Sequence, residues 1–233
     1  HTQRRRQRQM CIRDRAERRS YADRSLYLGD PDFVKIPQNE LLQEKYLNDR
    51  MKSFTFERAS KSTDILPGTI SWEESEETTH YSIIDPMGNA IAVTTTLNGS
   101  YGSKVFVEKG GYFLNNEMDD FSSKPGFPNM FGLVGGKANA ISPQKRMLSA
   151  MTPTIIEKNN KLYMIVGTPG GSTIITSVLQ TILNVYEYDM NIQTAVAAPR
   201  FHHQWLPDII TFEPNKFKRN LFDSLQKKGY DIK

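Results

Sequence analysis

Two β-prone runs, Tyr81–Asp85 and Ala90–Thr96, flank a turn-forming Asp85-Pro86-Met87-Gly88-Asn89, and this constrains the fold more than any other feature. Branched and aromatic residues favour strands, while Pro, Gly and Asn make turns, so the segment reads as a hairpin. Thr154–Glu157 and Leu162–Val166 repeat the pattern around Asn159-Asn160. Thr173–Tyr188 then carries apolar residues at helical spacing, followed by a shorter helix over Ile192–Ala198. A strand over Ile209–Phe212, an amphipathic helix over Lys216–Lys228 and the opening of a strand at Tyr230–Lys233 complete the chain. Upstream, Leu42, Tyr46, Leu47, Met51 and Phe54 recur at helical spacing. Tyr21–Pro37 reads as turns punctuated by Gly29, Pro31 and Pro37, and residues 59–77 read as a polar linker. No internal repeat is evident. Strands, then helices, then strand and helix suit a layered α+β sandwich better than a doubly wound fold.

Charge is unevenly placed along the 233 residues, whose formal net charge is +4. Residues 1–19 hold eight arginines (Arg4, Arg5, Arg6, Arg8, Arg13, Arg15, Arg18 and Arg19) against Asp14 and Glu17; the remainder carries 22 basic and 24 acidic side chains. The body is therefore mildly acidic. A run this biased has little apolar surface to bury and reads as disordered. It lacks aromatic residues to stack on bases and an apolar stretch for a signal peptide. Residues 1–15 are thus read as a tail foreign to the protein, in preference to an RNA-binding arm or a targeting segment, and no nucleic-acid partner is expected.

Hydrophobic residues at 38% and charged residues at 24% describe a globular protein with one real core. The longest apolar runs, Ala195–Pro199 and Ile174–Leu183, fall short of the roughly 20 residues of a membrane helix, so no span is expected. Cys11 is the single cysteine, which excludes a disulfide scaffold. The nucleophile elbow, the P-loop, the paired-histidine zinc helix and the paired-cysteine motif are all missing. His202 and His203 are adjacent, so their side chains diverge, and a structural or surface role is expected rather than a metal site. Neither metal nor cofactor is called for.

Small polar residues and glycines remain: Thr78-Thr79-His80 after the acidic linker, Thr96 and Asn98 closing the partner strand, Asn115–Asp120, and Thr168-Pro169-Gly170-Gly171-Ser172 ahead of a helix. Singly, each has a structural explanation as strand former, turn former or loop. Together, in this order, they resemble the γ-glutamyltranspeptidase family of N-terminal nucleophile hydrolases. The resemblance runs through YADRSLYLGDPDF, TTHYSIIDPMGNAIAVTTTLN, GYFLNNEMDDFSSKPG, NMFGLVGGKANAISPQKRMLSAMTPT, GTPGGS and APRFHHQWLPD, nearly the whole chain after the tail. It implies a four-layer αββα sandwich, present in part. Residues 16–77 would be the end of a large chain and its linker. Residues 78–233 would be a small catalytic chain that stops short of the family's C-terminus, made when one precursor cuts itself between Glu77 and Thr78.

Chemistry explains a threonine at that point. Its hydroxyl is a poor nucleophile until a nearby base takes the proton. Cleavage would free an α-amine with an ordinary pKa of about 8, within reach of the same residue's hydroxyl. The resemblance then implies that Thr78 attacks a γ-glutamyl compound such as glutathione, and that the ester passes to water, an amino acid or a dipeptide. It makes Thr96 the residue orienting the nucleophile, and Gly170 and Gly171 the oxyanion hole. Asn98, Glu117 and Asp120 would hold the donor's α-ammonium, and Ser149 its α-carboxylate.

Three departures from the family pattern stand out. The large chain's carboxylate-binding arginine is absent with most of that chain, so the remainder of the large chain is an expected partner and this chain alone is expected to be inactive. Ala150 replaces the second serine of a familiar pair, keeping only its backbone N–H. Phe131 occupies the lid loop where some bacterial members carry tyrosine. The Asn98-Gly99-Ser100 sequon reads as substrate binding, since a glycan there would block the pocket. Alternatives are a related acylase of glutaryl-type β-lactam precursors, which the carboxylates Glu117 and Asp120 oppose, and an uncleaved binding module. Resemblance implies a periplasmic or secreted protein.

Overall fold

The arginine-rich run is helical. The structure, a computed structural model, describes residues 2–65 and 78–233, and α1 (Thr2–Tyr27) spans the run. This corrects the disorder expected from composition, and the last three arginines of the run, Arg15, Arg18 and Arg19, are paired. The buried Asp14 receives Arg15 Nη1 at 2.6 Å and Arg18 Nε at 3.1 Å. Arg18 also donates to the Ser60 carbonyl at 3.0 Å and to Asp208, and Arg19 donates to the Ser53 hydroxyl at 2.7 Å. Composition counts charges but does not reveal acceptors placed elsewhere in the chain, and a buried guanidinium is tolerated only when its N–H groups are paired. The turns expected over Tyr21–Pro37 start later than the sequence indicates: α1 runs to Tyr27, and the chain turns where Phe33 and Val34 donate to the Asp30 carbonyl, each at 3.0 Å. Of the residues expected at helical spacing, Tyr46, Leu47 and Met51 fall in α3 (Glu44–Met51), whereas Leu42 and Phe54 lie outside it, and the short α2 (Gln38–Leu41) ends just before Leu42.

The chain divides into two units. One comprises residues 73–120 and 149–198. Its first hairpin pairs β1 (Thr79–Ile84) with β2 (Ala90–Thr95), from Thr79 opposite Thr95 to Ile84 opposite Ala90. Asp85 closes the turn by accepting the N–H groups of Met87 at 2.9 Å and Asn89 at 2.8 Å. Strand alternation places His80, Ser82 and Thr94 on one face and Tyr81, Ile83, Ile91 and Val93 on the other. A short ribbon follows, β3 (Phe106–Val107) with β4 (Tyr112–Phe113). The second expected hairpin is β5 (Thr154–Lys158) with β6 (Lys161–Val166), joined by Asn159 and Asn160 at φ 55 and 57°. Two positive φ angles make the turn whose twist matches the strands, and asparagine tolerates them. α4 (Thr173–Tyr186) buries Ile174 and Val178 against Met164 and Val166 of β6. α5 (Ile192–Ala197) is capped by Asn191, whose side chain accepts the Thr194 N–H at 2.9 Å.

The other unit holds α1 to α3, residues 121–148 and residues 199–233. Here β7 (Phe201–His202) pairs with β8 (Thr211–Phe212), and α6 (Arg219–Gln226) follows. Phe201, Ile210, Phe212, Leu225 and Tyr230 form its core together with Met10 and Cys11 of α1. The strand opening expected at Tyr230–Lys233 lies beside Ile210, whose N–H donates to Asp231 and whose carbonyl accepts from Lys233, both at 2.9 Å. Helices and antiparallel ribbons mix as an α+β chain. The sheets among the described residues are four separate two-stranded pairs.

Candidate active site

Thr78 stands one residue before β1, so the hairpin register continues to place it opposite Thr96. Thr78 Oγ1 lies 3.4 Å from Thr96 Oγ1. The Thr96 hydroxyl also accepts the Asn98 N–H at 2.9 Å, which turns the chain as it leaves β2. Asn98 takes a φ of 75°, a left-handed conformation that asparagine adopts more readily than most residues, and it is buried. Its amide donates to the Asn116 carbonyl at 3.2 Å, and the Asn116 side chain accepts the Gly99 N–H at 2.9 Å. These bonds tie the strand end to the segment carrying the two expected carboxylates. Glu117 and Asp120 open and close a single 3₁₀ turn, both half-buried. Partial burial pushes the Glu117 carboxyl above its ordinary pKa.

Gly170 and Gly171 take φ values of 131 and 52° ahead of Ser172, the N-cap of α4. The first angle lies where side chains are strained, and a Cβ on Gly170 would stand 2.5 Å from Thr173 Oγ1. The Gly170 carbonyl accepts both the Thr173 N–H at 3.0 Å and its hydroxyl at 2.6 Å. The turn thus precedes the positive end of a helix, a position that favours negative charge. Ser149 and Ala150 are half-buried, and Ser149 Oγ accepts the Met151 N–H at 3.1 Å.

Thr78, Thr96, Asn98, Glu117, Asp120, Ser149, Ala150, Gly170 and Gly171 all belong to one unit. Phe131 belongs to the other, where it is buried and its carbonyl accepts the Gln204 amide at 2.9 Å. Glu77, where cleavage is expected, lies outside the described residues. His202 and His203 are buried, and burial pushes His202 down to about 4. Among the described residues no group of three His, Cys, Asp or Glu side chains is placed to hold a metal ion. Sequence reasoning took Asn116 only for a turn former, and its link to Asn98 and Gly99 left no local signal. It also missed the clamp on Arg146, three residues before Ser149. Asp30 accepts the Arg146 N–H at 2.8 Å and its guanidinium at 2.6 Å, which holds the carboxyl well below its usual range.

Comparison with known proteins identifies first a fold. A cephalosporin acylase from Bacillus halodurans matches 96% of this chain and 38% of its own, with a TM-score of 0.77 at 21% identity, so the two share a fold. A threonine-to-alanine variant of the Helicobacter pylori γ-glutamyltranspeptidase is 58% identical, with a TM-score of 0.65 over 66% of this chain and 83% of that one. The glutathione hydrolase proenzyme of Escherichia coli (strain K12) is 48% identical over 223 residues, which are 96% of this chain and 38% of the relative. That of Pseudomonas sp. (strain A14) is 52% identical over 198 residues, 85% of this chain and 34% of the relative. The family model for γ-glutamyltranspeptidase matches residues 3–233. The chain belongs to the γ-glutamyltranspeptidase family. It spans little more than a third of the length of these curated relatives.

Proposed function

We propose that this chain is part of a self-cleaving γ-glutamyltransferase and glutathione hydrolase. The observation that carries the reading is the Thr78 hydroxyl, 3.4 Å from the Thr96 hydroxyl at the head of β1, in a chain so similar to glutathione hydrolase proenzymes. Cleavage between Glu77 and Thr78 frees the Thr78 amine, which takes the hydroxyl proton as Oγ1 attacks the γ-carbonyl of the donor. The backbone N–H groups of Gly170 and Gly171 face the oxyanion. The C–N bond breaks, the leaving amine takes the proton, and a γ-glutamyl ester remains on Thr78. Water, an amino acid or a dipeptide then attacks that ester.

Asn98, Glu117 and Asp120 hold the donor's ammonium, and Ser149 with the Ala150 N–H holds its carboxylate. Phe131 belongs to the lid. Residues 16–77 supply the end of the large chain and residues 78–233 the small one, the rest of the large chain being the partner. The exposed apolar face of the first hairpin, with Tyr81, Ile83 and Ile91, supports a further layer over it, as the four-layer αββα sandwich requires. A periplasmic or secreted setting follows from the same reading, and no helix among the described residues is long and apolar enough to cross a membrane. The acylase alternative rests on a shared fold alone, and the carboxylates Glu117 and Asp120 favour a substrate with an ammonium group.

The test uses the whole precursor that contains this segment. N-terminal sequencing of the smaller product is expected to start at Thr78, and Thr78→Ala is expected to stay uncut. A start at any other residue, or cleavage of Thr78→Ala, would overturn the assignment, and an uncut wild-type chain would favour a binding module.

A further inference from the structure

The face of the first hairpin that carries Thr78 has a second polar rung. His80 stands opposite Thr94, next to the Thr78 and Thr96 rung on the same face. One ring nitrogen of His80, Nδ1, lies 2.8 Å from Thr94 Oγ1, and the other, Nε2, lies 3.0 Å from Ser82 Oγ. Both nitrogens therefore have partners within the hairpin, and the ring is half-buried with a fixed orientation. Its carbon edge meets the end of β6. A Cβ added to Gly167 would stand 2.2 Å from His80 Cε1 and 2.3 Å from Nδ1, and the three nearest atoms to that Cβ all belong to the His80 ring. Gly167 opens the turn that leads through Thr168 and Pro169 to Gly170 and Gly171. Its φ lies outside the left-handed region, so the imidazole, and not the backbone, is what requires glycine there.

We propose that His80 is a positioning residue that sets the oxyanion turn against the nucleophile through imidazole contact with Gly167. The inference rests on the assignment of Thr78 as nucleophile and of Gly170 and Gly171 as oxyanion donors. The side chain of His80 touches neither substrate nor reacting atom. It holds the strand bearing Thr78 at a set distance from the backbone that carries the two N–H groups. Acyl transfer depends on that distance, and misplacement by about 1 Å costs on the order of 100-fold in rate. Substrate binding through Asn98, Glu117, Asp120 and Ser149 does not run through this contact, so the loss falls on kcat.

The experiment is a double-mutant cycle in the whole protein with a γ-glutamyl-anilide. Gly167→Ala alone is expected to lower kcat about 10- to 100-fold with KM within about twofold. His80→Ala is expected to lower kcat similarly. Adding Gly167→Ala to His80→Ala is expected to cost nothing further, because the methyl then fills the space the ring vacated. Thr94→Val, which removes the hydroxyl facing Nδ1 without adding bulk near Gly167, is expected to lower kcat several-fold at unchanged KM, and it reads the same contact if Gly167→Ala fails to fold. Wild-type kcat in Gly167→Ala or Thr94→Val would overturn the proposal. So would an equal penalty for Gly167→Ala with and without His80. N-terminal sequencing of each product separates this failure from failure of the underlying reading: a start other than Thr78 in the wild type removes the nucleophile assignment, whereas a start at Thr78 with no coupling removes His80 alone.

Discussion

Thr96→Val deletes one hydroxyl while keeping the shape of the side chain, and the structure gives that hydroxyl two tasks. It accepts the Asn98 N–H at 2.9 Å, and Asn98 is only 4% exposed, so the N–H loses its partner in a largely buried place. Leaving a buried donor unsatisfied costs about 1–3 kcal/mol. Each kcal/mol moves the melting midpoint by about 2–4 °C in a domain of 150–250 residues, and by less in the longer precursor. The second task is orienting Thr78, whose hydroxyl is 3.4 Å away. That is a long contact, of the kind that tightens only when substrate is bound, so its loss falls on rate more than on stability. A poorly oriented nucleophile loses on the order of 100-fold. Thr96→Val is therefore expected to melt a few degrees lower, to cut its precursor slowly and to release γ-glutamyl-anilide about 100-fold more slowly. Thr96→Ser keeps the oxygen and is expected to stay within a few-fold of wild type. Scanning calorimetry, a gel time course and initial rates read the three effects. A Thr96→Val protein that melts low but cleaves and turns over normally would refute the orienting role and leave Thr96 as a support for the Asn98 turn.

Other expectations follow from the same geometry. Asp120→Ala is expected to impair γ-glutamyl substrates by more than about 10-fold and to spare a glutaryl analogue without the α-amino group, since removing one partner of a charge pair costs about 2–5 kcal/mol; equal losses in kcat/KM on both would make Asp120 structural. His202 sits buried at about 4, below the ordinary histidine value of about 6.5, so between those values the unfolded chain binds more protons and stability falls as pH falls. Denaturant titrations from pH 7 to 4 should show that slope reduced in His202→Asn, and an unchanged slope would contradict it. Deletion of residues 1–15 removes Met10 and Cys11 from the core they share with Phe201, Ile210, Phe212, Leu225 and Tyr230, and is expected to lower the midpoint by several degrees. An unchanged midpoint would show that residues 1–15 add nothing to that core.

Local chemistry was legible in the sequence wherever neighbours along the chain decide the outcome. Asp85-Pro86-Met87-Gly88-Asn89 and Asn159-Asn160 specify their turns, the flanking alternation specifies the strands, and the helical spacing of Thr173–Tyr188 became α4 with its end two residues early. Register then carried Thr78 opposite Thr96, a pair that the family resemblance alone had implied. The arginine run went the other way, since Arg18 and Arg19 at its end meet Asp208, Ser60 and Ser53, far along the chain. Nor did any pattern announce that Asn116 would bind Gly99, that Asp30 would clamp Arg146, or that the ring of His80 would fill the space beside Gly167. Propensity and turn chemistry act over a few residues, whereas pairing and steric exclusion act between groups that only the folded chain brings together, and those tertiary contacts decided how each unit is held.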